Sequence, residues 1–548
     1  MSILSDKRHR HIVPRWRDSL TASGSRDFNP LRKPSVSVAP SQHVPTDVLL
    51  QISEFKEAPS IGTAADSLGS AIAAGHGELA RPAAEFILRH ANQAPSLLME
   101  VAVSVLDGKH RAFGLALSSD PKVEVARLRA RLKLFPRSAT MWADLARTQA
   151  TLGEIDKAKR SMKVSLALAP DHRWVLRSAN RLLLHAGEYR EAHQLLANHP
   201  RTRQDPWLMA AEIASAQLRQ VSPRFLVRGR ELLRNPSLAP VHLSELAAAV
   251  ATSELENGKR KGARRLLRAA MQDPTENALA QIEWADRKAG DDLPVGQKVI
   301  RMADAYEAKF WVKRHEGQIL DAYKAAISWM DDEPFADSPV SAASHSAAML
   351  DDYDAVLLHT KHGLARNPGS LLHRNNQIFA MLSSGDCTDE DLRMATHFLG
   401  ERIQARDDDF IHSMANAGLL MYRLGRIEEG AELYRGAVSW AEKKAGPVIA
   451  AQAAAYHLRE AVLAKAPWIN ETLDVARKNA ASARDGAVDF LMRKMEDLAR
   501  SPEKASSILG PKSARLYLPM ASVDVARELN VSMTDEGPVL IVPAHLIR

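Results

Sequence analysis

The chain has 548 residues, 45% of them apolar and only 5% aromatic, with a formal net charge of +7 and a single cysteine. That length exceeds what one hydrophobic core serves. Cys387 alone excludes an internal disulfide or a multi-cysteine zinc site, and no run approaches the roughly 18 apolar residues of a membrane span. The charge is uneven: residues 1–45 hold eight Lys or Arg against three Asp, a local +5 that leaves +2 for the rest.

Residues 1–45 mix Arg, Ser, Pro and His with few periodic apolar positions, a composition that buries too little surface to fold alone. A disordered basic arm that orders on meeting a partner is expected there. Within it, KRHRHIVPRWR couples cations to Ile12, Val13 and Trp16. Arginines beside an aromatic are the types that dominate binding hot spots, so Arg15, Trp16 and Arg17 are candidate partner-binding residues, against the reading of an inert or trimmed tail. His9 and His11 are two flexible imidazoles, too few for a metal site. The start carries no apolar stretch of the secretory type, and with the cysteine usage this points to a reducing, cytoplasmic setting.

Long stretches of Ala, Leu, Arg and Glu follow, the residues that lose least in a helix. Residues 46–138 read as degenerate helical repeats, with DSLGSAIAAGHGELARPAAEFILRHANQAP the most regular part. From 139 to 275 the repetition is plain. In SATMWADLARTQATLGEIDKAKRSMKVSLALAPDH, Trp142, Leu145, Ala146, Gly153, Ala158, Met162, Ser165 and Pro170 fall as a 34-residue helix-turn-helix requires. Thirty-four residues on from Trp142, Gly153, Ala158 and Met162 stand Leu176, Gly187, Ala192 and Leu196. Small residues suit close helix crossings, glycine the left-handed turn, and proline the end of the second helix. Gly258, Ala263, Leu267, Ala270 and Pro274 repeat the turn and second helix.

These residues at these spacings resemble the tetratricopeptide repeat. Gln149 and Glu254 depart from it, standing where the family has bulky apolar residues, and Pro200 arrives early enough to shorten its helix. The resemblance implies an all-α fold, an α-solenoid of roughly ten or more antiparallel helix pairs wound into a superhelix, with partners held along the concave face. It also directs attention to polar side chains of first helices: Arg147, Arg177 and Asn180. Asn180 sits where the family places a small residue, so it reads equally as a ligand contact or as a buried, internally bonded amide.

Residues 276–410 continue the helical period without the signature, apart from LDDYDAVLLHTKHGLARNP. His359 and His362 share a helix face there but lack further ligands, so a packed or surface pair is the simpler reading. Cys387 lies in SSGDCTDEDLR, where neighbouring carboxylates disfavour a thiolate and Thr388 is placed to cap the next helix. Residues 411–509 hold one more clear repeat, with Gly418, Met421, Gly425, Gly430, Tyr434 and Ala437, and then capping helices. From 510 to 548 prolines recur and GPVLIVPAHLIR is β-prone, which predicts an extended tail, laid back on the solenoid or offered to another chain as a strand.

Charge picks out one further feature. Lys259, Arg260, Lys261, Arg264, Arg265 and Arg268 crowd about three helical turns, and residues 121–173 hold twelve Lys or Arg against five acids. Such faces bind acidic peptides or nucleic-acid backbones, although a solvated helix face is the commoner meaning. DDEPFAD at 331–337 shows that acidic patches occur as well.

No phosphate loop, H-E-x-x-H or G-x-S-x-G is present, so no enzyme and no cofactor are expected. The function read from the chain is a protein-interaction scaffold, adaptor or regulatory subunit with a protein partner. One alternative is a nucleic-acid-binding helical-repeat protein using the basic faces. A third reading is the targeting or inhibitory subunit of a bacterial toxin or defence nuclease complex. Self-association through an uncapped terminal repeat is also expected.

Overall fold

The turn between paired helices is one backbone device used repeatedly. In a computed structural model of the chain, Gly153, Gly187, Gly258, Gly317 and Gly425 adopt φ between +73° and +76°. In each case the next residue's N–H reaches back to a carbonyl five positions earlier, as from Glu154 to Gln149 and from Arg426 to Met421. That closes the first helix while the chain reverses. Gln220, Asp351 and Lys465 hold the same left-handed position without being glycine, which is why their turns carry no glycine signal in the sequence.

The structure describes residues 10–19, 22, 46–73, 77–94, 96–106, 120–234, 238–289, 295–384, 387–405, 410–509, 530–534 and 537–541. The fold is the all-α solenoid of antiparallel helix pairs expected. First helices begin at Ala139, Arg173, Pro206 and Pro240, steps of 34, 33 and 34 residues. Asp205 caps one of them through its carboxylate and the Trp207 N–H at 3.1 Å, with Pro206 at the first helical position, where its missing N–H costs nothing. Pro200 shortens its repeat as expected: the Tyr189–Ala197 helix gives way to a 3₁₀ turn over Pro200–Arg203. Thr388 caps Asp389–Ala405 by accepting from the Asp391 N–H at 3.2 Å.

First and second helices differ in how they are buried. Every residue of Phe410–Arg423 is buried, and so is most of Pro206–Leu218. Arg260–Ala270 buries only Ala263, Leu267 and Ala270 and leaves its cations outside. A helix covered on all sides is a core element, and one with a single apolar stripe is a surface element. Where the pairs cross, Gly418 and Gly430 lie so close that a Cβ on Gly418 would meet the ring of Tyr434 at 2.7 Å, and one on Gly430 the ring of Tyr422 at 2.7 Å.

The superhelix is wound tightly enough for distant repeats to touch. A Cβ at Gly153 would stand 2.6 Å from the carbonyl oxygen of Arg366, and one at Gly317 2.7 Å from that of Gly486. Arg314 donates to Asp485 at 2.8 Å across the second contact. Asp485 also caps the Gly486–Arg500 helix by accepting from the N–H groups of Ala487 and Val488, each at 3.1 Å. Near the C-terminal end, Glu460 lies wholly buried between Arg423 (2.6 Å) and Arg459 (2.7 Å), and Arg459 also donates to the Tyr353 hydroxyl at 2.6 Å. The tail forms a two-stranded antiparallel hairpin, Asn530–Thr534 with Gly537–Ile541. Among the described residues no helix is long and apolar enough to cross a membrane.

Candidate functional site

The arm supplies the most specific geometry in the molecule. Residues 10–19, part of the stretch expected to stay disordered until a partner binds, are instead seated in the chain's own solenoid, which buries Ile12 and Trp16 as a partner would. The disorder expected of residues 1–9, 20–21 and 23–45 concerns positions outside the described residues. Residues 10–18 run through the inside of the superhelix without helix or strand. Ile12 and Trp16 are 1% and 0% exposed.

The main chain of the arm is held every three residues. Gln281 Nε2 donates to the Arg10 carbonyl at 2.7 Å, Asn277 Nδ2 to that of Val13 at 2.9 Å, and Arg147 Nε to that of Trp16 at 2.9 Å. The Ser19 N–H then donates to Asp144 at 2.8 Å, and the Ser19 hydroxyl to its other oxygen. Three residues is also the period of a polyproline-type chain, and Pro14 lies midway. Asn277 and Gln281 are four apart on Glu276–Ala289, so helical geometry places both amides on one face.

Between these pins the side chains meet carboxylates. Arg10 donates to both oxygens of Glu307, at 2.9 and 2.7 Å, and to the side-chain oxygens of Gln281 and Asn277. Arg15 bridges Glu307 and Glu333, its guanidinium 5.6 Å from the Trp329 ring. Arg17 reaches Asp332 at 2.7 Å, Asp304 at 2.9 Å and Glu276 at 3.5 Å. Ile12 joins the cluster of Met209, Ile213 and Leu246. Trp16 packs among Ala143, Ala146 and Val175, with its ring 5.1 Å from that of Phe335. A cavity of about 510 Å³ adjoins the arm, walled in part by Val13, Trp284, Trp311, Trp329 and Ser341.

Burial pushes the Glu307 and Glu333 carboxyls up, but neighbouring guanidinium groups outweigh it. Arg10 and Arg15 hold Glu307 below its ordinary value, and Arg15 with Arg181 hold Glu333 at about 2. Both are therefore carboxylates that need a cation. Asp144 is the opposite case: burial lifts it to about 7, against the two hydrogen bonds from Ser19.

Arg15, Trp16, Arg17 and Arg147 thus come together in one place. Arg147 also donates to the Asp332 carbonyl at 2.8 Å, tying repeats 185 positions apart across the groove. Arg177 lies behind the groove, bonded to Glu245 at 2.9 Å and packed on Trp207. Asn180 does not reach the groove: it is fully buried and donates to the Ala192 carbonyl and to Ser215 Oγ. Lys259, Arg260, Lys261, Arg264, Arg265 and Arg268 are exposed, and none contributes to the groove. His359 is buried against the Tyr323 hydroxyl at 3.0 Å.

None of the carboxylates and amides that receive the arm is a candidate site residue in the sequence, although the acidic stretch DDEPFAD, which holds Asp332 and Glu333, stands out there. Two signals for them exist there: DDEPFAD, whose Asp332 and Glu333 take Arg17 and Arg15, and the four-residue spacing of Asn277 and Gln281 on a first helix.

No family model and no curated protein matches the chain. Among solved structures, the human IFIT1 dimer with m7Gppp-AAAA is similar over 73% of this chain and 96% of that one, at 13% identity and a TM-score of 0.27.

Proposed function

We propose that the chain is a non-enzymatic scaffold, an adaptor or regulatory subunit that holds a partner protein on its solenoid. The observation that carries this reading is the way the groove grips residues 10–19. Main-chain pins at regular intervals, alternating with side-chain sockets, are how an extended peptide is bound with affinity and specificity together. A nucleic-acid backbone in this groove would meet Glu276, Asp304, Glu307, Asp332 and Glu333, and like charge repels it. The nucleic-acid alternative therefore rests on the basic faces outside the groove, residues 259–268 and the exposed cations of residues 121–173.

The test is affinity capture with the full chain from nuclease-treated and untreated lysate at rising salt, beside a Lys261→Glu/Arg265→Glu variant. A protein partner retained after nuclease by both chains supports the scaffold. Recovery of nucleic acid alone, lost steeply with salt and with the variant, transfers the function to the basic face.

A further inference from the structure

We propose that the groove is a receptor for an extended, arginine-rich segment of a partner protein, and that residues 10–19 are its resident competitor. The segment would carry an apolar anchor, an arginine three positions on, and an aromatic between that arginine and another, as Ile12, Arg15, Trp16 and Arg17 do. This rests on the scaffold reading and names the chemistry of what the scaffold holds.

Three features favour an exchangeable occupant over a permanent strut. Residues 10–18 are neither helix nor strand, and two short hydrogen bonds run within the N-terminal segment, from the Val13 N–H to the His11 carbonyl and from the Ala22 N–H to the Asp18 carbonyl. Its departure therefore breaks no strand and at most the single helical turn at Ser19 and Ala22. The pins at positions 10, 13, 16 and 19 engage main-chain atoms, which any extended chain presents. The connection from Ala22 to the helix at Thr46 is 23 residues, a reach of at most roughly 80 Å, so the arm can leave without moving the solenoid.

The sockets set the code. Arg15 faces two carboxylates and an indole face at once, an arrangement suited to a planar guanidinium and poorly met by an ammonium. Trp16 Nε1 is buried with no hydrogen-bond partner, so its pocket asks for an aromatic ring and not for tryptophan in particular. With the groove empty, Glu307 and Glu333 would be left buried without Arg10 and Arg15, which is why the site should not stay vacant.

A tethered occupant works at an effective concentration in the millimolar range, so a free peptide competes poorly until the tether is cut. The experiment places a specific protease site between residues 30 and 40 of the full chain. It then follows binding of a fluorescent peptide of residues 7–20 before and after cleavage, with circular dichroism and sizing on the same samples. We expect the cleaved chain to bind at least 100-fold more tightly than the intact one. The peptide with Trp16→Phe should bind comparably, and those with Arg15→Lys or Arg15→Glu should lose tenfold or more.

Three results would overturn the proposal. One is a cleaved chain that keeps its arm and takes up no peptide. Another is a chain that loses its helical signal as the arm leaves. The third is equal binding of a scrambled peptide. If the intact chain runs as a dimer that cleavage converts to monomers, the occupant is a second copy's arm and the partner assignment falls. Hydrogen exchange on the uncut chain gives an independent reading. Amides of residues 10–19 should open locally and faster than those of Phe410–Arg423, and exchange of both only through global unfolding would mark the arm as a strut. Peptide uptake and partner capture are read separately, so either can fail without the other.

Discussion

Arg147 Nε donates to the carbonyl oxygen of Trp16 at 2.9 Å, and the indole of that same residue is wholly buried against Phe335. One residue of the arm is thus held by its main chain from the Ala139–Thr151 helix and by its ring between that helix and Phe335. Trp16→Ala should lower stability by about 3–5 kcal/mol, and Arg147→Ala by about 1.5–3 kcal/mol. Trp16→Phe should cost less than about 1.5 kcal/mol, because the indole N–H has no partner to lose. Urea unfolding of the full chain measures all three, with the exposed Arg160→Ala as a control within about 0.5 kcal/mol. A Trp16→Ala effect no larger than the control's would mean that the arm is not seated.

Asp144 gives the arm a dependence on pH. Its folded value, about 7, lies above the ordinary 3.8 because burial disfavours the charged form. Burying it is therefore free of cost below about pH 4 and costs progressively more as pH rises to 7. The slope is at most about 1.4 kcal/mol per pH unit. Asp144→Asn still accepts from the Ser19 N–H and removes the titration. The stability difference between variant and parent should grow from pH 5 to pH 8; parallel curves would rule the assignment out.

Glu333 works in the opposite direction. Held at about 2 by Arg15 and Arg181 against the push of burial, it contributes stability that is present above its ordinary 4.5 and lost as pH falls towards 2. Glu333→Gln should cost about 3–5 kcal/mol at neutral pH, since it strands buried cations. Combining it with Arg15→Met should cost less than the sum of the two single changes by more than about 1 kcal/mol. Simple additivity in that cycle would show that the two side chains do not interact.

The winding of the superhelix can be tested at its glycines. Gly187 and Gly317 have the same positive φ, but an added Cβ meets nothing at Gly187 and the Gly486 carbonyl oxygen at Gly317. Alanine at Gly187 should cost roughly 1–2 kcal/mol from the left-handed conformation alone, and clearly more at Gly317. Equal losses on thermal melting would place the Gly486 helix away from this turn.

The sequence shows some of this and hides the rest for identifiable reasons. Gly153, Gly187, Gly258 and Gly425 mark their turns because a left-handed residue favours glycine. Gln220, Asp351 and Lys465 do the same task unmarked. Arg15, Trp16 and Arg17 stand out because cations rarely surround an aromatic in an idle tail. Their receptor does not stand out, since Arg10 and Glu307 are 297 positions apart and no local period links them. Asn180 points inward for a related reason: its partner Ser215 belongs to the next repeat, and a spacing rule for one repeat does not say which of its polar groups the neighbour will claim.

The separation between Arg15 and Glu333, 318 positions, also sets an order of events during synthesis. At about 5–20 residues per second, the arm waits roughly 15–60 s after leaving the ribosome before its carboxylates exist. Through that interval Trp16 and its arginines are on offer to whatever else is nearby. A protein that recognises them then would meet a chain whose groove is not yet built, and could be carried into the finished particle or released as Glu333 emerges.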